Sequence, residues 1–438
     1  ALCGSDAATF ACGGGPAGTQ TSNAAGNVVQ GNLVGTNAAG TGALGNTQKG
    51  VSIDGAPDTV VGGPLGGDRN VIAATLLGPG IVVFNPGADG NLIRGNYIGT
   101  DATGFGNLGN NGPGVLLADG ANTVVSGVDV DRTAPNRIMF NTGAGIEVTG
   151  GGPHKLRINQ FQSNGDLGIR DNAERLAGGP TLTQASVGGG VVTVSGTLFG
   201  APNTPYTIDL YVSTACDPSG FGEGASWFGA VVVTPPVEGP ASFSAGFGGN
   251  VVAPGQIVTA LATTGDHVAA ANAPGSTSPF SGCQMALPPG FVFSAPSAGG
   301  NGHVYEYVPV PGSWTTARTA ASSRLFRSVA GHLVTIGDAI ENGIVGGLRS
   351  GGDLRGWIGL TDEAVNGSFG WITGEPLGYT NWFPGEPSNG LPAGTGGEDY
   401  VEIFSDGRWN DQAVDGRGLN QGYVVEYEVN PFFGPPPD

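Results

Sequence analysis

A segment that returns at a fixed offset restricts the folds open to a chain more than composition does, because equal segments must find equal surroundings. Here NVVQGNLVGTNAAGTGALGN, from Asn27, returns as NLIRGNYIGTDATGFGNLGN from Asn91, and GVSI at Gly50 returns as GVLL at Gly114, both at an offset of 64 residues. A decayed third copy is legible in GIEV from Gly145 and GDLGIRDN from Gly165. Each copy sets short apolar runs between Gly and Asn turns. That pattern predicts a solenoid of stacked β-coils over residues 23–175, each repeat being divided into three coils of about 21 residues. Asn32 with Asn96, and Asn46 with Asn110, are expected to stack at turns, where Asn tolerates left-handed backbone.

The motifs GNxxGTxxxGxxxLGN and GVxI resemble those of right-handed parallel β-helix proteins. Several such families cleave polysaccharides, and those enzymes need an acid/base constellation on one face. Asp54, Asp58, Asp101, Asp119 and Asp129 instead fall singly at turns. The expectation for this third is a non-catalytic scaffold, with no catalytic residue assigned anywhere in the chain; a polysaccharide lyase or hydrolase is the alternative in third place.

The 84 glycines lie within alternating apolar and polar segments, which suits many short strands joined by tight turns. A formal charge of −19 over 438 residues, with Lys49 and Lys155 the only lysines, leaves no basic stripe to displace phosphate counterions, so nucleic-acid binding is not expected. No apolar run reaches the roughly 18 residues of a membrane span. The chain starts at Ala1 without Met, which reads as a mature chain after signal-peptide removal, at the cell surface or outside the cell. Four cysteines without C-x-x-C spacing form one close pair, Cys3 and Cys12, and one distant pair, Cys216 and Cys283. Two disulfides are expected, one closing an N-terminal segment of residues 1–22.

From residue 176 to 288 the rhythm lengthens to VVTVSGTL, YTIDLYVS, FGAVVVT and QIVTALAT, which predicts an antiparallel β-sandwich serving as a spacer. The ACDPSGFGEGASWFG segment resembles the long loop of Ig-like modules that follow bacterial β-helices. Asp217 and Glu223 within it are carboxylates that can face a cation or simply solvent.

Helical spacing appears first in residues 313–326, behind a Ser/Thr cap, and again in 335–348. Strand and turn signals surround both. In order, the landmarks are VYEYV, GHLVTI, WIGL, NWFPGEP, GEDYVEI, WND and YVVEYE. Together they resemble the C-type lectin-like domain over residues 289–430, which makes the chain mainly β with a terminal α+β domain and a proline-rich tail at 431–438. The family's usual disulfides are missing from this stretch.

The resemblance implies calcium as cofactor and glycans as partners. Its primary site maps onto Glu386, Ser388, Glu398, Asn410 and Asp411, with Glu386, Ser388, Glu398 and Asn410 also touching sugar and Pro387 in the cis form. Ser388 stands where the family's mannose-type motif has Asn. A second cation site maps onto Asp362, Asn366, Asn389 and Asp399. Calcium takes about six to eight hard oxygens at irregular geometry, the chemistry these residue types offer. Trp357, Trp371, Trp382 and Trp409 are expected in the core. The leading expectation is therefore a calcium-dependent, carbohydrate-binding adhesin or matrix protein. The alternative is a structural subunit that self-associates into filaments through the open end of the solenoid and its tail.

Overall fold

A computed structural model of the protein describes residues 25–126, 134–172, 179–236, 239–264, 275–348, 355–390, 397–415 and 422–432. The expected Cys3–Cys12 loop, Asp129 and most of the tail lie outside these residues. The chain divides into two compact units, one built mainly from the first 283 residues and one mainly from residue 284 onward.

The first unit begins with three parallel ladders. Val28–Val29, Val60–Gly62, Leu92–Arg94 and Val124–Val125 form one ladder. Leu33–Val34, Val71–Ile72, Tyr97–Ile98, Arg137–Met139 and Gln160–Gln162 form the second. Val51–Asp54, Ile81–Phe84, Val115–Leu117, Ile146–Val148 and Ile169–Asp171 form the third. Stacked parallel coils are thus present, but their period differs from the expectation. Val28 pairs with Val60 and Val60 with Leu92, so a coil takes about 32 residues and each sequence repeat spans two coils rather than three. The cause is an alternation of connections. Residues 35–50 and 99–114 make long excursions between the second and third ladders, whereas 73–80 and 140–145 make short ones, so only every second coil looks alike in sequence.

Ile53, Ile72, Ile81, Ile98, Ile138 and Phe161 are fully buried inside the coils. Asparagines stack in columns, with Asn70 standing between the expected partners Asn32 and Asn96; the expected Asn46–Asn110 stack is not formed among the described residues, because the coil before Asn110 offers Thr75 instead. Asn70 Oδ1 accepts from Asn32, Asn96 Oδ1 from Asn70 and Asn136 Oδ1 from Asn96, with side-chain distances of 3.0, 2.9 and 3.0 Å. A second column runs from Asn110 through Asn141 to Asn164. Each amide satisfies backbone groups that a turn would otherwise leave without partners.

The antiparallel strands that follow pair Val191–Gly200 with Gly239–Gly248, and Tyr206–Ser213 with both Ser226–Val233 and Ile257–Thr264. Cys216 and Cys283 form the expected disulfide, with a Cα–Cα distance of 6.0 Å.

These strands do more than space. Tyr211 and Phe280 join the coil core, Phe280 standing edge-on to Phe161 at 5.7 Å. Tyr211 Oη accepts from the Ile158 N–H at 2.8 Å. Arg157 reaches Asp209 with two hydrogen bonds, at 2.6 and 3.0 Å, and Asp209 is fully buried. Glu223 terminates the second asparagine column, taking the Ser163 N–H at 2.6 Å and both the backbone and side-chain N–H of Asn164 at 2.9 and 3.0 Å. The carboxylate open to a cation reading in the sequence is therefore a cap on the last coil. Asp217 accepts from Ser219 in its own turn.

The second unit carries a mixed sheet in the order Phe291–Phe293, Val304–Val308, Tyr423–Tyr427, Gly356–Thr361, Tyr400–Ile403, Trp409–Gln412. Helix α1 (Trp314–Ser322) starts at the Ser313 cap and α2 (Ala339–Gly347) at the Asp338 cap. Both are shorter than their sequence windows: Leu325–Phe326 leaves the first helix to pair with Val329–Ala330. Trp357, Trp371 and Trp409 are buried, whereas Trp382 is partly exposed and stacks edge-on to Trp409 at 5.8 Å.

Replacing Arg157 by Ala leaves the Asp209 carboxylate buried without its cation, a change that costs about 3–5 kcal/mol. Denaturant unfolding should show a lower midpoint for Arg157→Ala; an unchanged midpoint contradicts the role given to this pair.

Candidate functional site

The sheet of the second unit brings together a group of carboxylates that lie far apart along the chain. After the Gly370–Trp371 strand, residues 372–390 make a long irregular excursion. Reciprocal backbone hydrogen bonds hold it to the sheet: Phe383 N–H to Trp409 O and Trp409 N–H to Asn381 O, each 2.8 Å. Beyond them the Glu386–Pro387 peptide is cis, as expected, and Asn389 takes left-handed backbone at φ 47°.

Asp411, 1% exposed, stands at the centre of this region. Its two carboxylate oxygens accept the backbone N–H groups of Ser388 at 3.0 Å and Asn389 at 2.7 Å. Glu398 Oε2 accepts from the Gly390 N–H at 2.7 Å and the Ser388 hydroxyl at 3.3 Å. The loop from Glu386 to Gly390 is thus wrapped around two carboxylates.

Glu386 completes the group in a different state. Its Oε2 is buried with no hydrogen-bond partner among the described residues. Burial raises its pKa above the ordinary carboxylate value, and the neighbouring Asp411 carboxyl adds to the rise.

A second set adjoins the first. Asp362, 2% exposed, uses Oδ2 to accept from the Gly367 N–H at 2.7 Å, while its Oδ1 has no partner among the described residues. Burial raises its pKa, and the charges of Asp399 and Asp411 add to that. Asn389 ties the sets together, donating to Asn366 Oδ1 at 2.6 Å and accepting the Glu398 N–H at 3.2 Å. A Cβ added at Gly397 would lie 2.4 Å from Asp399 Oδ1 and 2.8 Å from Asn389 Oδ1, so only glycine admits both oxygens there.

Asn410 lies between Trp409 and Asp411, but its Nδ2 bonds Glu402 Oε1 at 3.2 Å, an atom that also accepts from Arg355 at 3.0 Å. Strand alternation places Asn410 and Asp411 on opposite faces, opposite Glu402 and Val401 respectively. The structure therefore gathers Glu386, Ser388, Glu398 and Asp411, with Asp362, Asn366, Asn389 and Asp399 beside them, and turns the amide group of Asn410 toward Glu402. As for the isolated aspartates of the coils, Asp54 accepts from the side chain and Asp119 from the backbone of Asn85, and Asp101 closes its own turn through Thr103 and Gly106.

Sequence reading missed one further group. His303, Glu341 and Glu426 offer ligand atoms all within 4.8 Å of one another. Glu426 accepts from the Thr335 N–H at 2.9 Å and pairs with His303 Nδ1 at 2.6 Å; Tyr305 donates to Glu341 at 2.6 Å. Burial disfavours the charged ring of His303, but the Glu426 carboxylate outweighs it and raises the pKa. Burial, and then Glu426, raise that of Glu341. The three come from two strand regions and a helix with no motif linking them, so only the fold shows the cluster.

Residues 313–416 match the Lectin C-type domain family. The C-terminal part of this chain is a C-type lectin domain, with the two helices and mixed sheet described above. Among curated proteins it is similar to halomucin of Haloquadratum walsbyi, 37% identical over 138 residues, which is 29% of this chain and 1% of that protein. It is also similar to the low affinity immunoglobulin epsilon Fc receptor of Mus musculus, 39% identical over 98 residues, 22% of this chain and 26% of the receptor. The matches thus cover about a quarter or less of those relatives. Among solved structures, the cow C-type carbohydrate-recognition domain of CD23, determined in the presence of a GlcNAc2Man3 oligosaccharide, is 31% identical, with 28% of this chain and 86% of that one covered and a TM-score of 0.24.

Glu341, Glu386, Asp362 and His303 all hold a proton more readily folded than unfolded. For the carboxyls the associated stability is complete below their unfolded values of about 4 and is lost as pH rises; for His303 it is complete below about 6.5 and lost as pH passes the higher folded value. Thermal unfolding in chelator should therefore give a midpoint that falls from about pH 5 to about pH 8, with His303→Gln removing part of the slope at the upper end. A midpoint that rises across this range contradicts these assignments.

Proposed function

We propose that this chain is an extracellular or surface-attached protein that binds glycans through calcium held in the 386–411 region, with the β-coils and the antiparallel strands as a non-catalytic scaffold. The observation that carries the reading is the state of Glu386. A buried carboxylate oxygen with no donor, beside the Asp411 carboxyl, is costly unless a cation faces it. The donor set of carboxylates, a hydroxyl and amide oxygens is the hard-oxygen chemistry calcium prefers.

Bound there, calcium supplies charge to offset the converging carboxylates and open positions for two neighbouring sugar hydroxyls. Glu386, Ser388, Glu398, Asn410 and Asp411 are the proposed primary ligands, and Asp362, Asn366, Asn389 and Asp399 the second set. The chain's own contribution is to fix the loop in advance through the N–H bonds to Asp411 and Glu398, so that little ordering remains when ligand arrives. For Asn410 to join this set its amide has to leave Glu402, which holds it on the strand face opposite Asp411. Ser388 carries its donor and acceptor on one oxygen where an amide would hold them on two separate atoms, so sugar affinity is set lower than Asn would give.

A second reading, self-association, draws on the first coil. Val28 and Leu33 are 61% and 43% exposed there, and such edges invite pairing unless covered.

Passing the intact chain over immobilised mannose tests the main reading. Retention should require calcium and end on chelation. The double change Glu398→Gln with Asp411→Asn should weaken binding at least about tenfold, or 1.4 kcal/mol, and Ser388→Asn should strengthen it. Calcium-independent passage over mannose, glucose, fucose and galactose columns alike would falsify the glycan assignment. Light scattering of the same samples checks the second reading, which a strict monomer at high concentration overturns.

A further inference from the structure

One rung on the outside of the β-coils changes character partway along. Leu33, Val71, Tyr97, Arg137 and Gln160 are register partners in successive coils of the second ladder. Their neighbours Ile72, Ile98, Ile138 and Phe161 are fully buried inside, so alternation turns this column outward. It is apolar in the first two coils and aromatic, cationic and amide in the last three.

Arg69 reaches the same place from the turn before Val71, its guanidinium 4.1 Å from the centre of the Tyr97 ring. Arg137 lies 5.2 Å from that ring and 4.4 Å from the ring of Phe105, which is 68% exposed. The excursion bearing Phe105 is pressed onto the site: a Cβ at Gly104 would come within 2.7 Å of both Arg137 and Tyr97. The internal repeat supplies a second, independent sign. At the matching positions of the first copy stand Leu33 and Thr41, so both aromatics that touch Arg137 belong to the second copy alone.

Neither arginine has a carboxylate partner among the described residues. Arg69 Nε is buried with no hydrogen bond, and Arg137 Nε is engaged only by Gln160 Oε1 at 3.0 Å, which leaves the Gln160 NH₂ as a donor. Asp68, next in sequence to Arg69, accepts the Leu65 N–H of its own turn through Oδ2. A cavity of about 200 Å³ opens among Gly63, Leu65, Arg69, Tyr97, Arg137 and Gln160. Its polar side chains are Arg69, Tyr97, Arg137 and Gln160, with no carboxylate among the lining residues, in a chain whose net charge is −19. Two guanidinium forks suit an oxyanion, and the exposed Phe105 face beside them suits the C–H face of a sugar ring.

We propose that this flank of the β-coils binds an acidic sugar, its oxyanion held by Arg69 and Arg137 and its ring resting on Phe105. A uronate carboxylate and a sulfate ester share the required chemistry. The site is independent of the calcium reading, so it is tested in chelator.

The intact chain is titrated with an oligogalacturonate, with a sulfated oligosaccharide, with a neutral oligosaccharide of similar length and with inorganic sulfate. Saturable binding is expected for at least one of the two acidic oligosaccharides, and which one binds tells carboxylate from sulfate ester. Arg137→Gln and Arg69→Gln should each weaken it at least tenfold, and Arg137→Lys should fall in between because the fork is lost while the charge stays. Phe105→Ala, an exposed loop change that leaves folding intact, should weaken the oligosaccharide several-fold. The proposal is overturned by no binding of either acidic oligosaccharide, by equal binding of the neutral one, by equally tight binding of inorganic sulfate alone, or by full binding to Phe105→Ala and Arg137→Gln.

Discussion

A carboxylate withdrawn from water has to be met by donors or by positive charge, and in a chain of net charge −19 positive charge is scarce. The molecule's answers differ from place to place. Asp209 receives Arg157 and the Trp227 indole N–H. Glu223 and Asp411 receive backbone amides instead, and in each case the amides belong to the segment that the carboxylate holds in place. At Glu386 and Asp362 the donors run out, leaving one buried oxygen each without a partner among the described residues. The calcium proposal follows from that remainder more than from the number of acidic residues.

The same constraint shapes the first unit. A coil of about 32 residues with strands of two to four has little ladder per turn, so side-chain amides complete the hydrogen bonding where the backbone changes direction. A column of amides needs an end, and Glu223 from the antiparallel strands is that end for one of them. Tyr211 and Phe280 cover the apolar interior beside it, which is why coils and strands pack as one unit. The outer face of those coils is free to carry side chains of any type. There Arg69 and Arg137 crowd Tyr97 with no acidic partner among the described residues.

What could be read from residues alone followed from how local the signal was. The offset of 64 was plain, yet the coil length was not, because connections of two lengths alternate and both are rich in the same Gly and Asn turns. The lectin landmarks were legible because each is a short run with its own chemistry, and Glu386, Glu398 and Asp411 do converge. Their hydrogen bonding was not legible: strand alternation points Asn410 toward Glu402, and nothing in the three letters WND says which face each residue takes. Helix ends were overrun at Phe326 because Leu325–Phe326 suits a strand pair as well as a last turn. The His303 cluster and the Arg69–Tyr97–Arg137 column depend on partners at irregular separations, which no periodic pattern marks.

Calorimetric titration of calcium into the intact, chelator-stripped chain asks whether the carboxylates around Asp411 hold a cation. Saturable heat is expected at about pH 7, and at about pH 5 weaker binding with protons released, since Glu386 and Asp362 hold theirs above the ordinary carboxylate range. Absence of saturable heat at about pH 7 would contradict the calcium proposal, because the unpartnered oxygens of Glu386 and Asp362 would then have no cation to face.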